Sequence, residues 1–106
     1  MKDMQRMMRE AQKMAAEVAK AQEELAGVEV EGTAGGGAVK VVATADQHIV
    51  SVTLDPELLS DLQDDADMIG DVIVTAVNDA LDKAREKQEQ TLGPLAGGLG
   101  GLGLPG

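Results

Sequence analysis

Two apolar periods divide the chain. From Asp3 to Ala26, Met4, Met7, Ala11, Met14, Val18, Ala21 and Leu25 recur at spacings of three and four. That is the heptad seam of a packed or coiled helix pair. Met8 and Ala15 widen the face, no proline interrupts it, and Gly27 stands where a C-terminal cap belongs. The pattern predicts one long helix over 3–26. The period then drops to two. Val28-Glu29-Val30-Glu31 alternates apolar and acidic residues and ends at Gly32. Ala38-Val39-Lys40-Val41-Val42-Ala43 and Ile49-Val50-Ser51-Val52-Thr53-Leu54 are short and β-branched. Gly35-Gly36-Gly37 separates the first two strands, and Asp46-Gln47-His48 turns between the second and third. Connections this short predict an antiparallel meander.

Asp55-Pro56-Glu57 is a helix start, with Asp as N-cap, Pro in the first turn and Glu beside it. It predicts a short helical turn from Pro56 to Asp61. A second long helix follows from about Asp65 to Gln90, with Ile69, Val72, Ile73, Ala76, Val77, Ala80 and Ala84 on one face. Gly70 weakens it by about 1 kcal/mol relative to Ala. The order is α-β-β-β-α, an α+β fold with a three-stranded antiparallel sheet and two long helices.

Composition changes this picture in one respect. The 106 residues include no Phe, Trp or Tyr, and aromatic side chains bury the most area, about 150–250 Å² each. A chain of this size is already marginal for burying surface, so a second copy is the natural source of apolar contact, and the reading is an obligate homodimer. Residues 1–92 read as a single domain. The Gly- and Leu-rich residues 93–106 lack periodicity and read as a flexible or peripheral tail. There is no cysteine, hence no thiolate nucleophile or cysteine metal site. No apolar run approaches the roughly 20 residues of a membrane span, and the mixed-charge start Met1-Lys2-Asp3-Met4-Gln5-Arg6 does not read as a signal peptide. A cytoplasmic protein is expected.

Formal net charge is −10, which by itself argues against a polyanionic partner. The charge is unevenly placed. Residues 1–26 balance five bases against five acids, residues 27–82 hold Lys40 alone against twelve acids, and residues 83–106 net +1. Only the two helical ends escape the acidic excess.

At about 100° per residue, Lys2, Arg6, Arg9, Lys13 and Lys20 fall within a sector of roughly 60°, nearly opposite the apolar seam. One face of the first helix can pack while the other offers cations about 5–6 Å apart along the axis, a spacing suited to tracking a phosphate backbone. Nothing in this segment suits base readout. The alternative is a solvated face, because Arg6–Glu10, Lys13–Glu17 and Lys20–Glu24 are (i, i+4) pairs that support a helix. Lys83, Arg85 and Lys87 carry the same ambiguity between complementing the helix dipole and forming a second contact patch. His48 reads as a surface turn residue. Asp61, Asp64, Asp65 and Asp67 lack the order of a calcium loop and read as a solvated helix start. The glycine triplet does not open a helix and so is not a phosphate cradle. No acid–base or nucleophile constellation is present, no cofactor or metal is called for, and the chain does not read as an enzyme.

Several segments together resemble the YbaB/EbfC family of bacterial nucleoid-associated proteins. They are Met7 to Glu24, especially Gln22-Glu23-Glu24-Leu25; Val30-Glu31-Gly32-Thr33-Ala34-Gly35-Gly36-Gly37 with Val39-Lys40-Val41; Leu54-Asp55-Pro56-Glu57-Leu58-Leu59; Ala76-Val77-Asn78-Asp79-Ala80; and Gly103-Leu104-Pro105-Gly106. They occur in family order and span nearly the whole chain. The resemblance implies an intertwined homodimer whose long helices project like the arms of tweezers. It also implies binding of double-stranded DNA with little or modest sequence preference, in the nucleoid, affecting nucleoid organisation and gene expression. It places DNA contacts on basic residues of the projecting helices, here Lys2, Arg6, Arg9 and Lys13, with Lys83 and Lys87 as weaker candidates. Lys20 is left as a structural partner of Glu24. The competing reading is an acidic homodimeric scaffold for protein–protein interactions in DNA metabolism, without direct DNA binding. Neither reading calls for a membrane or a small-molecule substrate; a third, metal or small-ligand binding through the aspartate cluster, has the least support.

Overall fold

The change of apolar period at Gly27 is the change from helix to sheet. The computed structural model describes residues 2–100, and side chains through residue 95. The chain runs α1 (Lys2–Ala26), β1 (Glu29–Ala34), β2 (Val39–Thr44), β3 (Ile49–Leu54), α2 (Pro56–Asp61) and α3 (Ala66–Gly100). That is the α-β-β-β-α order expected from the periodicity. The strands pair antiparallel in the order β1-β2-β3.

Register decides which residues become core. Gly32 pairs with Val41 and Val41 with Val52, so these three share one face. Val39, Val41 and Ala43 on that face are fully buried against Ala76 and Ala80 of α3. Half-buried Val30, Ala34, Leu54, Leu58, Val72, Ile73 and Val77 pack around them. The helix settles this close because its buried side chains are alanines and because Gly32 has none. A Cβ at Gly32 would stand 2.5 Å from the Ala76 carbonyl oxygen and 2.7 Å from the Ala80 Cα. The sequence pattern treats Gly32 as the end of β1, but the strand continues to Ala34. A glycine inside a strand marks close approach of another backbone, and here that backbone is α3.

Three polar contacts fix α3 on the sheet. The Thr33 amide donates to Asp79 Oδ2 at 2.9 Å. Lys83 Nζ donates to the Glu31 carbonyl at 2.9 Å, and Gln88 Nε2 donates to the Ala45 carbonyl at 2.7 Å. Asp65 caps α3 by accepting from the Met68 amide at 3.0 Å, and Asp55 caps α2 by accepting from the Glu57 amide at 2.9 Å.

The expected end of α3 near Gln90 differs from the structure. The helix continues through Pro94 to Gly100. Half-buried Gln88, Thr91, Leu92 and Leu95 prolong the packed side at spacings of three and four, which outweighs the one amide donor that proline lacks. The rest of the Gly/Leu tail, residues 101–106, lies outside the described residues.

α1 contributes much less to the interior. Ala21 and Leu25 are buried and Met14 and Val18 half-buried, but Met4, Met7 and Met8 are 70%, 67% and 61% exposed. The arm thus projects from the sheet. The radius of gyration is 20.2 Å and the long dimension 72 Å, whereas a compact chain of about 100 residues has a radius near 13 Å.

Candidate nucleic-acid interface

α1 is helical because it holds Ala, Met, Glu, Gln and Lys almost throughout and lacks Pro and Gly. At 25 residues it is about 37 Å long. Lys2, Arg6, Arg9, Lys13 and Lys20 are all exposed along it. Lys2, Gln5, Arg6 and Arg9 border one shallow depression near the free end. On the other side, Met7, Ala11, Met14 and Val18 line an open groove of about 820 Å³. Lys2, Arg6 and Arg9 thus lie apart from the apolar seam, whereas Lys13 borders the same groove as Met7 and Met14.

The helical spacings Arg6–Glu10, Lys13–Glu17 and Lys20–Glu24 do not become ion pairs. Among the described residues the ion pairs are Lys83–Asp79 at 3.3 Å and Arg85–Asp82 at 3.9 Å, both within α3. The expectation that Lys20 is a structural partner of Glu24 is therefore not met. Exposed (i, i+4) pairs contribute only about 0.3–0.5 kcal/mol, so spacing alone does not hold these side chains in one paired geometry. Among the described residues the cations of α1 are in no ion pair.

Lys83 differs from them. Its Nζ reaches both Asp79 Oδ2 and the Glu31 carbonyl. The Thr33 amide, and after it the Lys83 ammonium, hold the Asp79 carboxyl below the usual carboxylate range. Lys87 is exposed and in no ion pair among the described residues. Sequence reasoning missed Asp79 and Gln88. The (i, i+4) spacing of Asp79 and Lys83 is legible on a helix, but their reach to the backbone of β1 depends on which strand lies beneath.

Some acids of the body have structural uses. Asp55 and Asp65 are caps, and no group of His, Asp and Glu among the described residues is arranged to hold a metal ion. His48 is exposed in the β2–β3 turn, where its carbonyl accepts from the Thr44 amide at 2.8 Å. Gln47 takes the left-handed φ of 68° there. Gly35, Gly36 and Gly37 take φ of 62°, 68° and 94°, so the triplet is a left-handed turn that no other residue makes cheaply. No helix among the described residues is long and apolar enough to cross a membrane.

Comparison with known proteins gives the family and the fold. Residues 1–99 match the YbaB/EbfC DNA-binding family. A nucleoid-associated protein of Streptomyces avermitilis is 45% identical over 104 residues, covering 98% of this chain and 90% of that protein. One from Desulforamulus reducens is 48% identical over 102 residues, covering 96% and 95%. Among solved structures, the uncharacterized protein HP0035 from Helicobacter pylori superposes with a TM-score of 0.72 at 18% identity, over 85% of this chain and 92% of that one. With sequence similarity along nearly its whole length and the matching α-β-β-β-α architecture, the chain belongs to the YbaB/EbfC DNA-binding family.

Proposed function

We propose that this protein is a nucleoid-associated homodimer that grips the backbone of double-stranded DNA with the cations of α1, with little or modest sequence preference, and so influences nucleoid organisation and gene expression. The observation that carries this reading is the stripe of Lys2, Arg6, Arg9 and Lys13. These cations are exposed on a projecting helix and in no ion pair among the described residues, on a chain whose residues 27–82 are strongly acidic. The acidic body repels a polyanion, and the arm is where that repulsion ends. Contact with phosphates positions a duplex without reading its bases. Of the two secondary candidates, Lys87 is the better, because Lys83 is engaged by Asp79 and β1. The protein acts by binding, with no catalytic step and no cofactor, and it works where the DNA is, in the nucleoid.

Two features support the homodimer. The fully buried side chains are mostly alanine, Val39 and Val41 being the largest, which is a thin core for a stable domain. The outer half of the α1 seam and much of β3 are left uncovered by the chain itself, and Met4, Met7, Ile49, Val50 and Val52 stay exposed.

A gel-shift titration of the dimer against duplex DNA at 50 and 200 mM salt tests the reading. Backbone binding releases counterions, so affinity must fall steeply with salt, by about 10³-fold or more if six or more phosphates are engaged. Absence of a shift at low salt with micromolar dimer would end the DNA reading and favour the acidic protein–protein scaffold.

A further inference from the structure

α3 crosses the sheet from the Gly35 end, where Val72 lies, to the opposite end, where Gln88 meets Ala45. That opposite end is also where α1 joins β1 through Gly27 and Val28. Within the chain α1 packs mainly on α3, so the direction of the arm is set at this root. The root offers little apolar material. Of the buried residues among those described, Ala21, Leu25, Ala45 and Ala84 stand outside the cluster that seats α3 on the sheet. Three of these four are alanine, whose burial is weak and, like all apolar contact, non-directional.

Direction comes from hydrogen bonds. Gln88 Nε2 donates to the Ala45 carbonyl at 2.7 Å. The Ala45 amide donates to the Val28 carbonyl at 2.8 Å, and the Val28 amide to the Leu25 carbonyl at 3.2 Å. These bonds run residue to residue from α3, past the end of β2, to the last turn of α1. Ala45 is fully buried, and among the described residues no backbone amide reaches its carbonyl. Gln88 is therefore the donor that satisfies it. A buried carbonyl stripped of its donor is costly, and the strain is relieved by opening the root to water. The residue is also out of pattern. Ala76, Ala80 and Ala84 form a row at spacings of four, and Gln88 stands where the next small apolar residue would fall.

We propose that Gln88 is a positioning residue for the DNA grip: through Ala45 and Val28 its amide holds the root of α1, and with it the direction in which Lys2, Arg6, Arg9 and Lys13 are presented. This rests on the reading of α1 as the DNA-binding arm. The lever is long. A tilt of about 10° at Leu25 displaces the far end of α1 by about 6 Å, well beyond the tolerance of a hydrogen bond to phosphate.

The chain has no cysteine, so Gln12→Cys on α1 and Asn78→Cys on α3, both at exposed positions, accept a pair of spin labels. Labelled chains diluted into an excess of unlabelled ones report the distance within one chain by double electron–electron resonance. Gln88→Met keeps the length of the side chain and removes the donor. It should broaden or shift the distance distribution and weaken duplex binding by roughly three- to tenfold, the range of one lost hydrogen bond. The salt dependence of binding should stay that of the parent, because the same phosphates are met. Gln88→Lys restores a donor and should return the distances to those of the parent. A merely stabilising Gln88 would lower the thermal midpoint and leave the distances alone. Parental distances in folded Gln88→Met overturn the proposal, as does a Gln88→Lys distribution as broad as that of Gln88→Met. Should circular dichroism show Gln88→Met unfolded, Gln88→Asn, whose amide ends one methylene short, is measured in its place against the same outcomes. A parent chain that shifts no duplex overturns the DNA reading and this proposal with it. A parent that binds, with distances indifferent to Gln88, overturns the Gln88 assignment alone.

Discussion

α1 and α3 are both amphipathic helices with a long apolar stripe, yet only one of them has an interior to face. α3 lays Ala76 and Ala80 on Gly32, Val39 and Val41, and these residues are fully buried. α1 carries a seam of larger side chains, Met4, Met7 and Met14 among them, and leaves its outer half in solvent. The difference teaches that amphipathic pattern marks a surface meant to be covered without saying by what. For α3 the cover is the chain's own sheet. For α1 the chain covers only the end near Ala21 and Leu25, and the opposite face of the same helix carries the cations. In the proposed function, binding falls mainly to α1 and core packing mainly to α3, so each can be disturbed separately.

The largest effect should come from the arm. Reversing charge at Arg6, Arg9 and Lys13 together should weaken DNA binding on the order of a thousandfold and flatten its salt dependence. The thermal midpoint and dimer mass should stay unchanged. Normal gel shifts from this variant would move the interface off α1. The packed half should respond in the opposite sense. Gly32→Ala inserts a Cβ against the backbone of α3 and should cost about 3 kcal/mol by denaturant unfolding, with binding altered only through loss of fold. A midpoint near that of the parent would mean that α3 does not seat on β1 as described.

Asp79→Asn tests the polar anchor of α3. Its carboxyl is held below the usual range, first by the Thr33 amide and then by Lys83. A group whose folded pKa is depressed contributes stability above its unfolded pKa, about 3.9 for aspartate. That contribution is lost as pH falls through the lower folded value. The parent should therefore lose stability on acidification below about pH 4, and Asp79→Asn should lose less over that window while starting from lower stability at neutral pH. Parallel acid curves would remove the carboxylate from the account. The smallest effect is Gly70→Ala. A Cβ there meets nothing within 4 Å, so replacing glycine within an exposed stretch of α3 should add about 0.5–1 kcal/mol, read as a rise in midpoint with DNA affinity unchanged.

Much of the fold is legible in the residues. The seam of α1, the β-branched run 49–54, the Asp55-Pro56 start of α2 and the face Ile69 to Ala84 each state a local period or a cap. The end of α3 was less legible, because Gly93-Pro94 reads as a stop while half-buried Leu92 and Leu95 carry the packed side past it. At the candidate site, the stripe and its opposition to the seam follow from helical angles alone. Whether Arg6 pairs with Glu10 does not, since spacing permits an ion pair whose gain in water is too small to fix it.

By itself, the sequence determined the order of the elements, the separation of a charge-balanced arm with a cationic stripe from an acidic body, and the absence of aromatic side chains to fill a core. These depend on local periodicity and composition, which neighbours along the chain decide. Only the tertiary structure decided that Gly32 is a seat rather than a terminus, and that Lys83 belongs to β1 while Lys13 faces solvent. The contacts behind these join residues about 44 to 52 positions apart, and no local pattern encodes which strand will lie under which turn of a helix.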